Sequence, residues 1–280
     1  MALKHIKVVV FDLDGTLYDD MHHFDFYAGR LRERLPAEKR QSFDRDYIAC
    51  KNGRHPLKVG RVYDAINDLI LTEMDKVVQD AYTWSGERLS RKKTAELYRR
   101  PIEYDFVNMI SVGDPWWIPA GIAGHYGISR EKIYEAYLET REYMNSPQFQ
   151  MKKIPGLKEA INKLRKRAET VLLTNSSRED SETILEKLEL CGLFSLKIFN
   201  GKKPAETKKW FQHIRDRFQV SFEEMMSVGD NWVNEIRPVK ALGCMTAYID
   251  AYGTGETRYA DFAVSHMTEL LPVLERIGHP

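Results

Sequence analysis

The chain has 280 residues, 43% hydrophobic and 30% charged, with 42 lysines plus arginines against 41 aspartates plus glutamates. A formal net charge of +1 is ordinary for a globular enzyme and supplies no field for nucleic acid or a membrane surface. Cys50, Cys191 and Cys244 include no Cys-x-x-Cys pair, which argues against a disulfide framework or a cysteine zinc site and for a reducing cytoplasm.

The chain opens on Met-Ala-Leu-Lys-His-Ile-Lys, which leads into a strand pattern rather than a signal peptide, and no apolar run approaches about 20 residues. The expectation is a cytoplasmic protein with no membrane span. Residues 6–11 form a short β-branched run that predicts a buried parallel strand. From about residue 19 to 150 the pattern turns to long, charged, helix-period stretches such as 64–78 and 130–144, broken at Arg54-His55-Pro56 and Asp114-Pro115. An alternating strand and helix rhythm then runs from residue 156 to the closing helix at 267–277. The expected fold class is α/β, with a doubly wound, Rossmann-like parallel sheet from residues 1–18 and 151–280 and an inserted all-helical domain at 19–150. Ser-Val-Gly-Asp occurs twice, at Ser111 and Ser227, and only the second copy is expected to lead from a strand into a helix.

Open α/β sheets bind ligands at the carboxyl ends of their strands, so the polar residues there are the candidates for chemistry. Asp12-Leu13-Asp14-Gly15-Thr16 follows the first strand. Alternate residues of an extended segment point the same way, so Asp12 and Asp14 can address one bound group, one attacking while the other handles a proton. An ordinary Asp-Gly turn accounts for Gly15 and one aspartate but not for the second. Three later strand ends carry Thr174-Asn175-Ser176, Lys202-Lys203-Pro204 and Gly229-Asp230-Asn231.

These four segments, in this order, resemble the four signatures of the haloacid dehalogenase superfamily in its phosphatase form. The resemblance covers residues 6–18 and about 150–265, including Tyr259-Ala260-Asp261 before the last strand. It implies that Asp12 is a nucleophile forming an aspartyl-phosphate and that Asp14 protonates the leaving alcohol and then activates water. It implies Lys203 as the catalytic positive charge, with Lys202 as the alternative, and Thr16, Thr174 and Asn175 as substrate-binding residues. It further implies Mg2+, held by Asp12, the backbone carbonyl of Asp14, Asp230 and Glu235. The family's usual residue at the last position is aspartate, so Glu235 and Asn234 stand as alternative contacts, and Asp230 by itself would also serve as a helix N-cap.

The implied activity is hydrolysis of a small phosphorylated metabolite by a monomer or homodimer, with no nucleic-acid or membrane partner and with the insertion as a cap that chooses the leaving group. Dehalogenase and phosphonatase branches lack the second aspartate, a phosphomutase differs at Thr16, and a non-catalytic descendant would have lost one of the residues present here. Within the insertion, Trp84, Tyr104, Phe106, Trp116, Trp117, His125, Tyr126, Arg99, Arg100 and Arg141 are expected in core or surface roles, and His22-His23 in solvent.

Overall fold

Strand β1 is Val8–Phe11, buried at all four positions. Burial on both faces marks an inner strand of a parallel sheet, and it explains why the run is apolar throughout rather than alternating. The computed structural model describes residues 3–105, 107–254 and 257–278 and divides into two units, Met1–Asp20 with Asn145–Pro280, and Met21–Met144. Phe106 lies outside the described residues.

The inserted unit begins with helices α1, His22–Glu33, and α2, Ala37–Lys51. Strands β2, Arg61–Asp64, β3, Leu69–Met74, and β4, Val77–Thr83, follow, then helix α3, Arg91–Leu97, and strand β5, Met109–Val112. Helices α4, Trp117–His125, and α5, Arg130–Asn145, close it. The strands form an antiparallel sheet in the order β4-β3-β2-β5, so the expectation of an all-helical insertion is wrong. Residues 64–78, expected as helix, are the end of β2, the whole of β3 and the start of β4, with the two hairpin turns between them. Asp75 and Lys76 both adopt positive φ, 52° and 70°, the two-residue turn whose twist matches a hairpin. Asp64 shapes the other turn by accepting from the Ile66 and Asn67 amides at 3.0 and 3.1 Å, local turn chemistry that outweighs a coincidental helical period. The Ser111 copy of Ser-Val-Gly-Asp also ends a strand and precedes a helix, contrary to expectation. Its Asp114 accepts from the Trp116 amide at 3.0 Å. His23, expected in solvent, is buried on the α1 face that also buries Phe24, Tyr27 and Leu31, with its ring 5.0 Å from that of Trp116.

The chain then returns through helix α6, Leu157–Leu164, to strand β6, Glu169–Leu173, and helix α7, Arg178–Lys187. Strand β7, Leu196–Ile198, helix α8, Thr207–Phe218, and strand β8, Met225–Gly229, come next. A π-helical turn, Trp232–Ile236, helix α9, Arg237–Lys240, strands β9, Met245–Ile249, and β10, Phe262–Val264, and helix α10, Met267–Glu275, complete it. The six strands among the described residues of this unit are all parallel, in the order β10-β9-β8-β1-β6-β7. Val8, Val10, Val171 and Leu173 pack with Phe211, Ile214 and Val239 of α8 and α9. This is the expected α/β, Rossmann-like sheet. Where the strand and helix rhythm implies one helix after β8, the structure has the π turn followed by one short α-helix. Among the described residues no helix is long and apolar enough to cross a membrane.

The inserted unit is held by a buried carboxylate as well as by its core. Asp46 of α2 accepts from Trp84 Nε1 at 2.9 Å, the Tyr126 hydroxyl at 2.6 Å and Arg45 Nε at 3.0 Å. Trp84 in turn stacks on His125 at 3.8 Å, which gives these aromatics the packing roles expected of them. Arg45, Asp46, Trp84 and His125 also wall a pocket of about 670 Å³ with Arg54 and Asp68. Two arginines and two aspartates face it, so its charge selects no ligand class. Burial alone would raise the Asp46 carboxyl; the hydrogen bonds from Trp84, Tyr126 and Arg45 outweigh it and hold the group below its usual value. Asp46→Ala strands two donors and is expected to lower unfolding free energy by about 1–3 kcal/mol in urea titrations at neutral pH. The advantage of the wild type is full above the unfolded carboxyl value, near 4, and the gap between the two proteins should narrow as pH falls below about 4.

Candidate active site

The site grows from the carboxyl end of β1. The Asp12 amide donates to Val228 O at 3.0 Å, extending the β1–β8 ladder by one residue and aligning Asp12 beside Gly229 and Asp230. Leu13 to Leu17 then fold into a tight turn closed by the Leu17 amide on Leu13 O at 2.9 Å, with Gly15 at φ +78°. A Cβ at Gly15 would stand 2.1 Å from Asp230 Oδ2. Only glycine satisfies both the left-handed backbone and that close approach.

Lys203 enters from the loop after β7. Its ammonium is 2.6 Å from Asp12 Oδ1 and 2.5 Å from Glu235 Oε1, with its side chain only 2% exposed. Lys202 is exposed, which settles which lysine of the pair faces the aspartate. Asn175 holds the Lys203 backbone on both sides: its Oδ1 accepts from the Lys203 amide at 2.7 Å and its Nδ2 donates to Lys203 O at 3.0 Å. The Asn175 side chain, expected on a substrate, is therefore turned to the lysine loop.

Glu235 lies one π-helical turn beyond β8. Its Oε2 accepts from the Asn231 amide at 3.0 Å while Oε1 meets Lys203, so both oxygens expected at a cation are engaged by protein donors. Gly229 makes room for it, since a Cβ there would stand 2.5 Å from Glu235 Cγ. The helical cap expected of Asp230 belongs to Asn231, whose Oδ1 accepts from the Val233 and Asn234 amides at 3.2 Å each. Asn234 contributes backbone, its carbonyl accepting from Thr207 Oγ1 at 3.0 Å. Burial raises the Asp12 and Glu235 carboxyls, Glu235 to about 8. Burial alone would lower Lys203, but the two carboxylates beside it raise it above the ordinary lysine value.

Asp14 is held by two hydroxyls. Tyr18 donates to its Oδ1 at 2.5 Å and Ser176 to its Oδ2 at 2.7 Å. Thr174 Oγ1 accepts from the Ser176 amide at 3.1 Å, and Gly201 approaches Thr174 closely, its amide donating to Thr174 O at 2.9 Å. Thr16 Oγ1 is buried and has no hydrogen-bond partner among the described residues. The structure thus gathers every predicted residue at one end of one sheet, and adds Tyr18, Ser176 and Asn231.

The donor set fits a hard divalent cation. Asp12, Asp230 and Glu235 bring three buried acidic side chains against the buried ammonium of Lys203. Among the described residues no three acidic, imidazole or thiol groups close on one point. Magnesium asks for little more than one or two carboxylates, with water filling the remaining positions.

Residues 6–243 match the family described as haloacid dehalogenase-like hydrolase. The chain belongs to that family. Among curated proteins, this hydrolase is 25% identical to a phosphoglycolate phosphatase of Chromobacterium violaceum over 98% of its own length and 99% of the relative's. It is also 25% identical to a glyceraldehyde 3-phosphate phosphatase of Pyrococcus furiosus, over 98% and 95%. Among solved structures it resembles a HAD hydrolase of Bacillus subtilis, TM-score 0.53 and 14% identity over 96% and 98% of the chains. A haloacid dehalogenase-like protein of Streptococcus pneumoniae gives 0.54 and 12% over the same shares. Both structures support the fold.

The buried triad makes a separable prediction about stability. Lys203→Met leaves two carboxylates without their cation and should cost about 3–5 kcal/mol in urea unfolding, whereas Lys202→Met, at an exposed position, should stay within about 0.5 kcal/mol of the wild type.

Proposed function

We propose that this hydrolase is a phosphatase that cleaves a small phosphate monoester through a covalent phosphate on Asp12. The observation that carries the reading is the pairing of two aspartates with different partners: Asp12 on the Lys203 ammonium at 2.6 Å, and Asp14 on hydroxyls. A carboxylate kept beside a cation suits attack, and one held by hydroxyls suits proton transfer. The two curated relatives are named for phosphoglycolate and glyceraldehyde 3-phosphate, both small phosphate monoesters, which supports the substrate class.

In this reading an Asp12 oxygen attacks phosphorus, the bond to the alcohol oxygen breaks, and the proton of the Asp14 carboxyl goes to that oxygen. Asp14, now a carboxylate, takes a proton from the water that attacks the acyl phosphate, releasing inorganic phosphate and restoring Asp12. Thr174 and Thr16 supply hydroxyls for phosphoryl oxygens, and Lys203 offsets their charge. Bringing a carboxylate to about 4 Å from one phosphate charge costs about 4 kcal/mol at an effective dielectric of 20, so one lysine is not enough. Mg2+ held by Asp12, Asp230 and the Asp14 backbone carbonyl would neutralise the remaining charge. Glu235 acts here through Lys203, which it holds against Asp12. The inserted unit has the role of a cap that selects the leaving group.

The test is phosphate release from an aryl phosphate and a panel of natural monoesters with and without Mg2+. Asp12→Asn, which keeps shape and removes the nucleophile, should lower kcat by at least about 1,000-fold. Turnover that persists in Asp12→Asn, or that ignores chelation of the metal, would remove the covalent mechanism.

A further inference from the structure

We propose that Tyr18 and Ser176 are positioning residues that fix the plane of the Asp14 carboxyl, and so set how well the enzyme expels weakly acidic alcohols. The inference rests on the phosphatase reading. Asp14 must give a proton in one half of that cycle and take one in the other. A carboxyl held by an ammonium, as Asp12 is by Lys203, is favoured in its ionised form because an ammonium can only donate. A hydroxyl both donates and accepts. It donates to the carboxylate without the full charge of an ammonium, and it can go on donating to the carboxyl oxygen while the acid's own proton is left for the leaving group.

The structure places one hydroxyl on each Asp14 oxygen, Tyr18 on Oδ1 at 2.5 Å and Ser176 on Oδ2 at 2.7 Å. They come from separate segments and fix the carboxyl plane. Tyr18 follows the Leu13–Leu17 turn and pairs with Asp14 through a parallel β-bridge. Ser176 is held in the loop after β6 by its amide on Thr174 Oγ1 and by its carbonyl, which accepts from the Asn200 amide at 3.0 Å. Both residues are buried, Tyr18 at 1% and Ser176 at 6% exposure, so the hydroxyls are kept from bulk water and a competing solvent partner.

The consequence depends on the leaving group. An activated aryl oxide departs with little help, while an alkoxide needs its proton as the bond breaks, so a misplaced acid is felt mainly with alkyl esters. Tyr18→Phe, which keeps the ring and its packing, and Ser176→Ala are each expected to lower the ratio of kcat for glycerol phosphate to kcat for p-nitrophenyl phosphate by about 10-fold or more, with KM little changed. An unchanged ratio, with both esters slowed alike or neither slowed, would overturn the proposal. A double-mutant cycle of Tyr18→Phe with Asp14→Ala in urea unfolding needs no turnover. Non-additive effects are expected, and additive ones would show that the hydroxyl does not hold Asp14. A wild type that hydrolyses neither ester while the cycle still shows coupling would refute the phosphatase reading and, with it, the leaving-group role.

Discussion

The Lys203 ammonium, sealed from water between Asp12 and Glu235 at 2.6 and 2.5 Å, constrains much of the surrounding backbone. A buried charge of this kind is tolerated only when its partners are fixed, because each ion has given up its hydration. Three loops of the parallel sheet are arranged to fix them. The loop after β6 grips the lysine backbone through Asn175. The π-helical turn after β8 delivers Glu235, and β1 supplies Asp12. The lysine is thus a junction for strands that are far apart in sequence but adjacent in space.

Glycines open the space that this junction needs. Gly229 lets Glu235 lie across the end of β8, and Gly15 lets Asp230 press against the turn after Asp12. In both places a single Cβ would drive a carboxylate away from the centre. The π-helical turn matters for the same reason. Its wider winding, nucleated by the Asn231 side chain on two amides, leaves Glu235 able to fold back onto the Asn231 amide and Lys203 together.

Two aspartates separated by one residue end in different surroundings. Asp12 faces a cation and Asp14 faces hydroxyls, although alternation in an extended segment aims them at one space. The distinction is made by partners from elsewhere in the chain, Lys203 and Ser176, together with Tyr18 four residues on. Thr16 keeps a buried hydroxyl for which the described residues provide no partner, at the same end of the sheet.

Much of the parallel unit was legible in the sequence because its strands are short, apolar on both faces and separated by amphipathic helices, and because chemistry in such sheets gathers at strand ends. Asp12, Asp14, Thr174, Lys203 and Asp230 could be read for that reason. Glu235 could be read as belonging to the site but not as a partner of Lys203, since the direction of a side chain at the start of a helix depends on how that turn winds. The insertion was misread as all-helical because the hairpins at 64–83 carry a helix-like spacing, whereas their turns rest on a few side-chain-to-backbone bonds and positive φ values that periodicity does not encode. Tyr18 and Ser176 had no signal of spacing. The sequence by itself determined the alternation of strands and helices and the acidic and basic residues at strand ends, because those follow from local pattern. Tertiary structure alone decided which of those residues share a proton, a charge or a backbone amide, because such pairings join segments brought together only by sheet order.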